Sequence, residues 1–466
     1  MIYPVILCGG FGNRLWPASR ENSPKQFLGF KNKTSLFQDT IIRIKDLDGI
    51  SGCPYIITNY NQKILIEDQL AKLGVRSAEI ILEPQSKSTA PAITLAALFL
   101  SRADPEATML ILSSDSRIEQ PKKFRAIVYD ACQLAHQTNK FLLFSSKASY
   151  AETGYGYIKS GHVINDNIQA TKIYAIDKFI EKPCHSQAQS YIEQGFEWNS
   201  GIFILPVKQF LKEMKQYCPE ILAACQGATL GSHVSKNPNH NYHVNYLNSE
   251  EFTKCPSDSI DRALLEKSSN LGVIKSSIGW SDIGSWQSVY SLQDKDTHGN
   301  TIRAKSCVSV NNSNIQIYSD NKSRLIAALN LDNITIIESG NAILVSSNDN
   351  TQDVRKVIAA LKENNLSKFL VGGLNHKKWG THEIITNSRK LVVKRLNLNS
   401  NSVYRNNGSD KSKHFIIIKG EISLFDETNG QLLYGNGKSF IIGPNKSYCF
   451  RNLSTNKNAE IIKIEF

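Results

Sequence analysis

The sequence predicts an α/β fold built on a largely parallel sheet with helices on both faces, followed by two smaller all-β units. Three observations carry this reading. The first half alternates short, continuously apolar runs with longer amphipathic segments. From about residue 300 the apolar runs shorten, and Asn, Ser, Asp and Gly separate them. The last stretch is punctuated by Gly420, Gly430, Gly435 and Gly437.

Val5–Cys8, Pro54–Thr58, Glu79–Leu82, Met109–Leu112 and Phe141–Phe144 carry the strong apolar character of strands buried on both faces. Asn61–Leu73 and Ala90–Ser101 between them are helical in pattern. Sheets of this kind bind ligands beyond the carboxyl ends of their strands, so the site is expected just after these runs. Further on, Cys307–Val310, Ile315–Tyr318, Leu325–Ala327, Ile334–Ile337 and Ile343–Val345 read as short strands of a small β unit. A helix follows, with Val354, Val357, Ile358 and Leu361 on one face, and Gly372-Gly373 marks a linker. The remaining short strands suggest a small β-barrel or jelly roll. No internal repeat is evident.

The 466 residues are 41% hydrophobic and 21% charged, which excludes disordered, collagen-like and membrane classes. Nine scattered cysteines, an odd number without a C-x-x-C pair, argue against a disulfide framework and against cysteine-based zinc sites. The apolar run at the N-terminus lacks a basic flank and reads as a strand, not a signal peptide. Ala90–Leu100 is too short to span a bilayer. A soluble, cytoplasmic protein without a membrane partner is expected. The net charge is +12, and His376–Phe466 alone carries 15 Lys and Arg against 7 Asp and Glu. No nucleic-acid-binding signature accompanies this excess, so it reads as a solvated lysine-rich face and no nucleic-acid partner is expected.

Gly9-Gly10-Phe11-Gly12-Asn13-Arg14-Leu15 directly follows the first strand. Glycines there let backbone N–H groups approach a phosphate, and a helix starting alongside would add partial positive charge. The loop is not a Walker A motif, and it fails the dinucleotide fingerprint because Leu15 stands at the third glycine position. A tight structural turn would explain the glycines alone equally well. The continuation is more specific: Arg14-Leu-Trp-Pro-Ala-Ser-Arg20, then Pro24-Lys25-Gln26-Phe27. Two cations on a glycine loop suit a triphosphate whose leaving group develops charge.

These residues resemble the signature of the sugar-phosphate nucleotidyltransferases, and of the mannose-1-phosphate guanylyltransferases among them. The resemblance continues in order through Glu83-Pro84 with Thr89-Ala90-Pro91, Ser114-Asp115, Glu152–Ile158, Phe179–Pro183, Trp198–Phe203, Ser259-Ile260-Asp261 with Glu266, and Gly279–Trp286. It implies a Rossmann-like nucleotidyltransferase domain with a mixed, mainly parallel sheet over residues 1–290. A small β unit with helix and linker would occupy 291–372, and a degenerate cupin-like β-barrel 373–466.

The implied chemistry is attack by mannose 1-phosphate on the α-phosphorus of GTP, giving GDP-mannose and pyrophosphate. Arg14 and Lys25 would hold the triphosphate, and Asp115 and Asp282 would share Mg²⁺. Gly9, Gly10, Gly12, Glu83, Lys87, Thr89 and Ser114 are the expected nucleotide contacts. Gly154, Tyr155, Glu181, Lys182 and Asn199 are the expected sugar-phosphate contacts, with Glu181 equally able to neutralise Lys182. An Asp after a strand is often only a turn former, and Trp16, Trp280 and Trp286 suit the core.

The chain departs from the family pattern in places. Ser86-Lys87-Ser88 replaces Gly-Arg-Asn, and Ser113-Ser114-Asp115-Ser116 replaces Pro-Ser-Asp-His. Related chains continue into a metal-dependent cupin barrel that isomerises mannose 6-phosphate. Here the corresponding histidine cluster is absent, Lys413 stands at the glutamate's place and Tyr448 at a later histidine's. An ammonium repels a divalent metal, so isomerase activity is expected to be absent and His414 to be structural. The barrel is left for oligomerisation of identical chains or for an anionic regulator. Two alternatives stand beside guanylyl transfer to mannose 1-phosphate: another base or hexose 1-phosphate, and a non-catalytic sugar-nucleotide sensor or scaffold.

Overall fold

The computed structural model describes every residue except 11, 31–32, 46, 48, 166–170, 237–239, 389 and 427–429, so Phe11 of the glycine loop lies outside the described residues. The chain folds as two units: Met1–Leu15 with Pro24–Lys295, and Trp16–Ser23 with Asp296–Phe466.

The first unit is built on an eleven-stranded sheet. Five neighbouring strands run parallel, in the order Asn241–Tyr246, Ser77–Glu83, Tyr55–Asn59, Ile2–Cys8, Thr108–Ser113. Their apolar runs are buried on both faces, because helices such as Thr89–Ala103 and Pro121–Thr138 cover the sheet. Beyond Thr108–Ser113 the pattern changes. Glu197–Pro206 is inserted antiparallel between that strand and Phe141–Lys147. Leu271–Lys275 then pairs parallel with Phe141–Lys147, and the hairpin of Gly156–Val163 with Tyr174–Glu181 closes the edge. Ile2–Cys8 has Tyr55–Asn59 on one side and Thr108–Ser113 on the other, so the chain order reverses about it. A crevice opens at such a reversal, at the carboxyl ends of the strands. The glycine loop leaves the sheet there, but only a three-residue 3-10 turn, Asn13–Leu15, follows it. The expected helix dipole is therefore missing, and any phosphate must be held by backbone N–H groups and side-chain cations.

In the second unit the small β region coils. Thr301–Arg303, Gln316–Ser319 and Ile334–Ser339 pair in parallel, as do Cys307–Val310 and Ile326–Leu329. Equivalent residues of adjacent turns, such as Ser313 and Asp332, lie 19 positions apart. The chain thus does contain a short internal repeat, contrary to the sequence reading. Its marks are the corners Asn311, Asn314, Asn330 and Asn333, all at positive φ, which Asn tolerates better than most residues. The period is also written in the sequence as Asn-x-x-Asn-Ile-x-Ile, at Asn311–Ile317 and again at Asn330–Ile336, but two copies are too few to stand out without the fold.

The signature segment Trp16–Ser23 belongs to this second unit. Trp16 Nε1 donates to the Phe369 carbonyl at 3.1 Å. Arg20 donates to the Ser339 carbonyl at 2.7 Å and to Asn341 at 2.6 Å. The C-terminal strands form a six-stranded and a four-stranded antiparallel sheet. Leu396, Phe415, Ile417, Phe450 and Ile461 share the core between them.

Candidate active site

A cavity of about 490 Å³ occupies the crevice at the ends of Ile2–Cys8 and Thr108–Ser113. One side carries Gly9, Gly10, Glu83, Ser88 and Thr89; the other carries Gly154, Tyr155, Glu181, Lys182 and Asn199. Asp115 and Asp282 lie on its wall as well. Asp115 follows the strand Thr108–Ser113, and Asp282 ends a short strand, Trp280–Asp282, that pairs antiparallel with Ser116–Ile118. That pairing joins segments far apart in sequence and sets the two carboxylates together.

Lys25 connects them. Its Nζ lies 2.9 Å from Asp115 Oδ2 and 2.8 Å from Asp282 Oδ1, on a side chain only 5% exposed. Burial disfavours the charge on each partner, but the attraction outweighs it. Lys25 is held above its ordinary pKa, and Asp115 below the ordinary carboxylate value, with Ser113 Oγ donating a further hydrogen bond to it. Arg14 approaches from the glycine loop. A Cβ at Gly284 would lie 3.0 Å from Asp282 Oδ2 and 3.5 Å from Arg14 Nη1, so glycine there leaves room for both groups. The four residues expected to be catalytic thus come together.

Among the residues expected to contact nucleotide, Glu83 is 4% exposed, its Oε1 has no hydrogen-bond partner, and burial, with a contribution from Cys255, pushes its pKa up to about 8. Ser88 opens the helix Thr89–Ala103 at φ 69°, ψ −167°, a conformation nearly confined to glycine. The Thr89 hydroxyl accepts from the Ile260 N–H at 2.8 Å. Two expected nucleotide contacts are used elsewhere. Ser114 Oγ donates to the Leu7 carbonyl at 2.9 Å and pins one strand to the next. Lys87 Nζ donates to the Thr253 carbonyl at 3.1 Å. Alternation along and after a strand explains the first case: Ser113 and Asp115 face the cavity, and Ser114 between them does not.

Among the residues expected to contact the sugar phosphate, Gly154 N donates to Glu152 Oε1 at 2.9 Å, which fixes the glycine turn. Tyr155 packs edge-on against Trp198 and Trp280 at 5.3 and 5.4 Å, and burial raises the pKa of its phenol. Trp280 therefore belongs to both core and cavity wall, whereas Trp286 is fully buried. Glu181 and Lys182 form an ion pair at 2.7 Å. Asn199 Nδ2 donates at 2.9 Å to Asp261 Oδ1. Burial first, and the Glu181 carboxylate second, push Asp261 up to about 7. Sequence alone assigns Asp261 no role; its place after Ser259-Ile260 in the motif is the signal that points to it.

The two carboxylates converge on a single ammonium nitrogen. Two hard oxygen donors suit Mg²⁺, which usually keeps waters and takes only one or two protein carboxylates. Among the described residues no group of three or more His, Cys, Asp or Glu side chains forms a ready-made metal site. No helix among them is long and apolar enough to cross a membrane.

Comparison with known proteins agrees with this geometry. Residues 3–299 match the nucleotidyl transferase family, and residues 305–361 match the mannose-phosphate isomerase/GMP-like β-helix domain. The mannose-1-phosphate guanylyltransferase of Klebsiella pneumoniae is 33% identical over 449 residues, 96% of this chain and 90% of that protein. The chain belongs to the mannose-1-phosphate guanylyltransferase family. It is a nucleotidyltransferase. The xanthan biosynthesis protein XanB of Xanthomonas campestris, another relative, is 33% identical over 94% of the chain and 90% of its own length. A solved structure titled mannose-1-phosphate geranyltransferase, from Thermus thermophilus, shares the fold, with a TM-score of 0.65 at 23% identity over 78% of this chain and 99% of that one. A mannose-6-phosphate isomerase structure from Helicobacter pylori has a TM-score of 0.50 at 26% identity, over 60% of this chain and 99% of that one.

Proposed function

We propose that the protein transfers a guanylyl group from GTP to mannose 1-phosphate for nucleotide-sugar supply. A phosphate oxygen of the sugar phosphate attacks the α-phosphorus, the bond to the β-phosphate oxygen breaks, and GDP-mannose and pyrophosphate leave. The observation that carries this reading is Lys25 held between Asp115 and Asp282, two carboxylates on the wall of a cavity that the glycine loop, Lys182 and Asn199 also line. The name of the Klebsiella pneumoniae relative supports the choice of substrates.

Gly9 and Gly10 offer backbone N–H groups to phosphate oxygens without side-chain obstruction. Arg14 and Lys25 stabilise charge on the departing pyrophosphate. Asp115 and Asp282 would hold Mg²⁺, which when bound neutralises phosphate charge and orients the two reactants. Lys182 supplies a point charge for the sugar phosphate, and Glu181 and Asn199 accept from or donate to hydroxyls. Glu83, with its unpartnered oxygen, fits the adjacent N–H donors of a guanine edge; binding such donors favours its ionised form. No mannose-6-phosphate isomerase activity is proposed, because a buried lysine, Lys413, stands among the inward residues of the barrel.

The test is pyrophosphate release with Mg²⁺, pairing GTP, ATP, UTP and dTTP with mannose 1-phosphate and glucose 1-phosphate. Turnover confined to GTP and mannose 1-phosphate supports the proposal. A different productive pair reassigns the substrate, and nucleotide binding without turnover points to a sensor.

A further inference from the structure

The inward-facing residues of the C-terminal barrel separate into two zones. Leu396, Leu398, Ile417, Ile422, Phe450 and Ile461 fill one end with apolar side chains. Along three neighbouring strands the same inward positions then become charged: Lys394 on Val392–Leu398, Lys463 and Glu465 on Ala459–Glu465, and Lys413 on Lys413–Lys419. Strand register brings them together, since Lys394 pairs with Lys463, and Lys413 with Glu465.

Most of this cluster is satisfied. Lys463 Nζ lies 2.6 Å from Glu465 Oε1 and 3.2 Å from the Tyr404 hydroxyl. Lys394 Nζ lies 3.1 Å from Glu465 Oε2. One carboxylate therefore serves two ammonium groups. Lys413 is left over. It is 1% exposed, and its Nζ has no hydrogen-bond partner. The ring of Tyr448, with its centroid 5.4 Å away, gives only a weak substitute. His382 brings no negative charge; burial and then Lys394 and Lys377 push it down to about 4, so it is neutral. The other acid acting on Lys413 is Asp410, which is exposed.

A buried ammonium without a partner is destabilising. Three ammonium groups around one interior carboxylate also leave uncompensated positive charge. Both features are resolved by one oxyanion beside Lys413, bonded by its three N–H donors and bordered by Lys463. We propose that the polar end of the barrel is a binding site for a phosphate group, either free orthophosphate or the phosphate of a small phosphorylated metabolite. It is separate from the cavity of the first unit, which has its own cations, and it does not depend on the reaction proposed there. A charged hydrogen bond of this kind changes affinity by about 10–100-fold.

The site can be tested on the full-length protein by calorimetric titration with orthophosphate, mannose 1-phosphate and GDP-mannose, comparing the wild type with Lys413→Met and Lys413→Arg. The wild type should show a binding class that weakens about tenfold or more in Lys413→Met and persists in Lys413→Arg, while guanylyl transfer is unchanged in both. Whether orthophosphate or a phosphoester fills that class identifies the source. Identical titrations for wild type and Lys413→Met would overturn the proposal. Should the Met variant fail to fold, crystals of the wild type soaked in tungstate give an independent answer. A tungsten peak beside Lys413 supports the site, and a barrel without one refutes it.

Discussion

Replacing Lys25 by Met removes the ammonium from between Asp115 and Asp282 and leaves two carboxylates facing each other. At an effective dielectric constant near 20, a contact of 2.8–2.9 Å corresponds to roughly 6 kcal/mol of gross attraction per pair. Desolvation of the buried lysine offsets much of this. Solvent offsets more, because the Asp115 and Asp282 side chains are 38% and 27% exposed. The net loss should be about 2–3 kcal/mol, or roughly 3–5 °C in the melting transition of the first unit. The sign with pH follows from the two shifts. Asp115 is depressed, so its contribution is present above the ordinary carboxylate pKa of 3.8 and is lost as pH falls through the lower folded value. Lys25 is raised, so its contribution is present below 10.5 and is lost as pH rises through its higher folded value. The difference between wild type and variant should shrink in base above 10.5, and in acid starting somewhat above 3.8, because the facing carboxylates of the variant take up a proton more readily. Mg²⁺ should raise the melting temperature of the variant more than that of the wild type, because the ammonium no longer competes for the carboxylates. Turnover should fall about 10²–10³-fold through loss of charge stabilisation on the leaving group. A deficit that persists undiminished into strong acid, or turnover within a few-fold of wild type, would refute the reasoning.

Asp282→Asn should lower kcat by about 10²–10³-fold while GTP binding, read by calorimetry, stays within a few-fold; loss of both together would place Asp282 in folding instead. Glu83→Gln should cost about 10–100-fold in kcat/KM for GTP, with a smaller effect for ATP, in the pyrophosphate assay. Glu83 is raised to about 8, so the ligand-free wild type holds a proton that the unfolded chain has released above 4.5. Its stability should therefore decline as pH rises across that window, and denaturant titrations of Glu83→Gln should lack that decline. Arg20→Ala leaves the Ser339 carbonyl without its donor and should destabilise the second unit by about 2 kcal/mol. Hydrogen exchange should then accelerate at the Glu21 and Asn22 amides, which donate to Leu370 and Val371.

The parts of the site that were legible in the sequence are those that local chemistry dictates. Val5–Cys8 and Met109–Leu112 announce buried parallel strands because a strand covered on both faces must be apolar at every position. Gly9-Gly10 and Asp115 follow them directly, so the fold rule for parallel sheets locates the site without a tertiary model. Local chemistry does not give the pairing of distant groups, which the sequence offers only through the family resemblance. Lys25 and Asp282 are 257 positions apart, and only the short antiparallel pairing of Trp280–Asp282 with Ser116–Ile118 brings the second carboxylate to the first. The same limit explains Ser114, which sits in a recognisable motif yet turns its hydroxyl to Leu7 because its neighbours on either side face the cavity.

The second unit shows how a substitution can be legible as a loss and illegible as a replacement. Lys413 at a glutamate's place reads from sequence as the removal of a metal ligand. The fold adds that the lysine points inward, because strand alternation sets it on the same face as the buried Phe415 and Ile417. Its cation therefore points into the barrel, not into solvent. Of the interior lysines, Lys463 found Glu465 and Tyr404, whereas Lys413 found no partner. Had the barrel been retained only as packing, an apolar side chain at 413 would continue the zone of Phe415 and Ile417 and would avoid burying an unpaired charge. The retained ammonium is therefore the feature that separates a ligand-binding module from an inert one, and the Lys413→Met comparison reads that distinction directly.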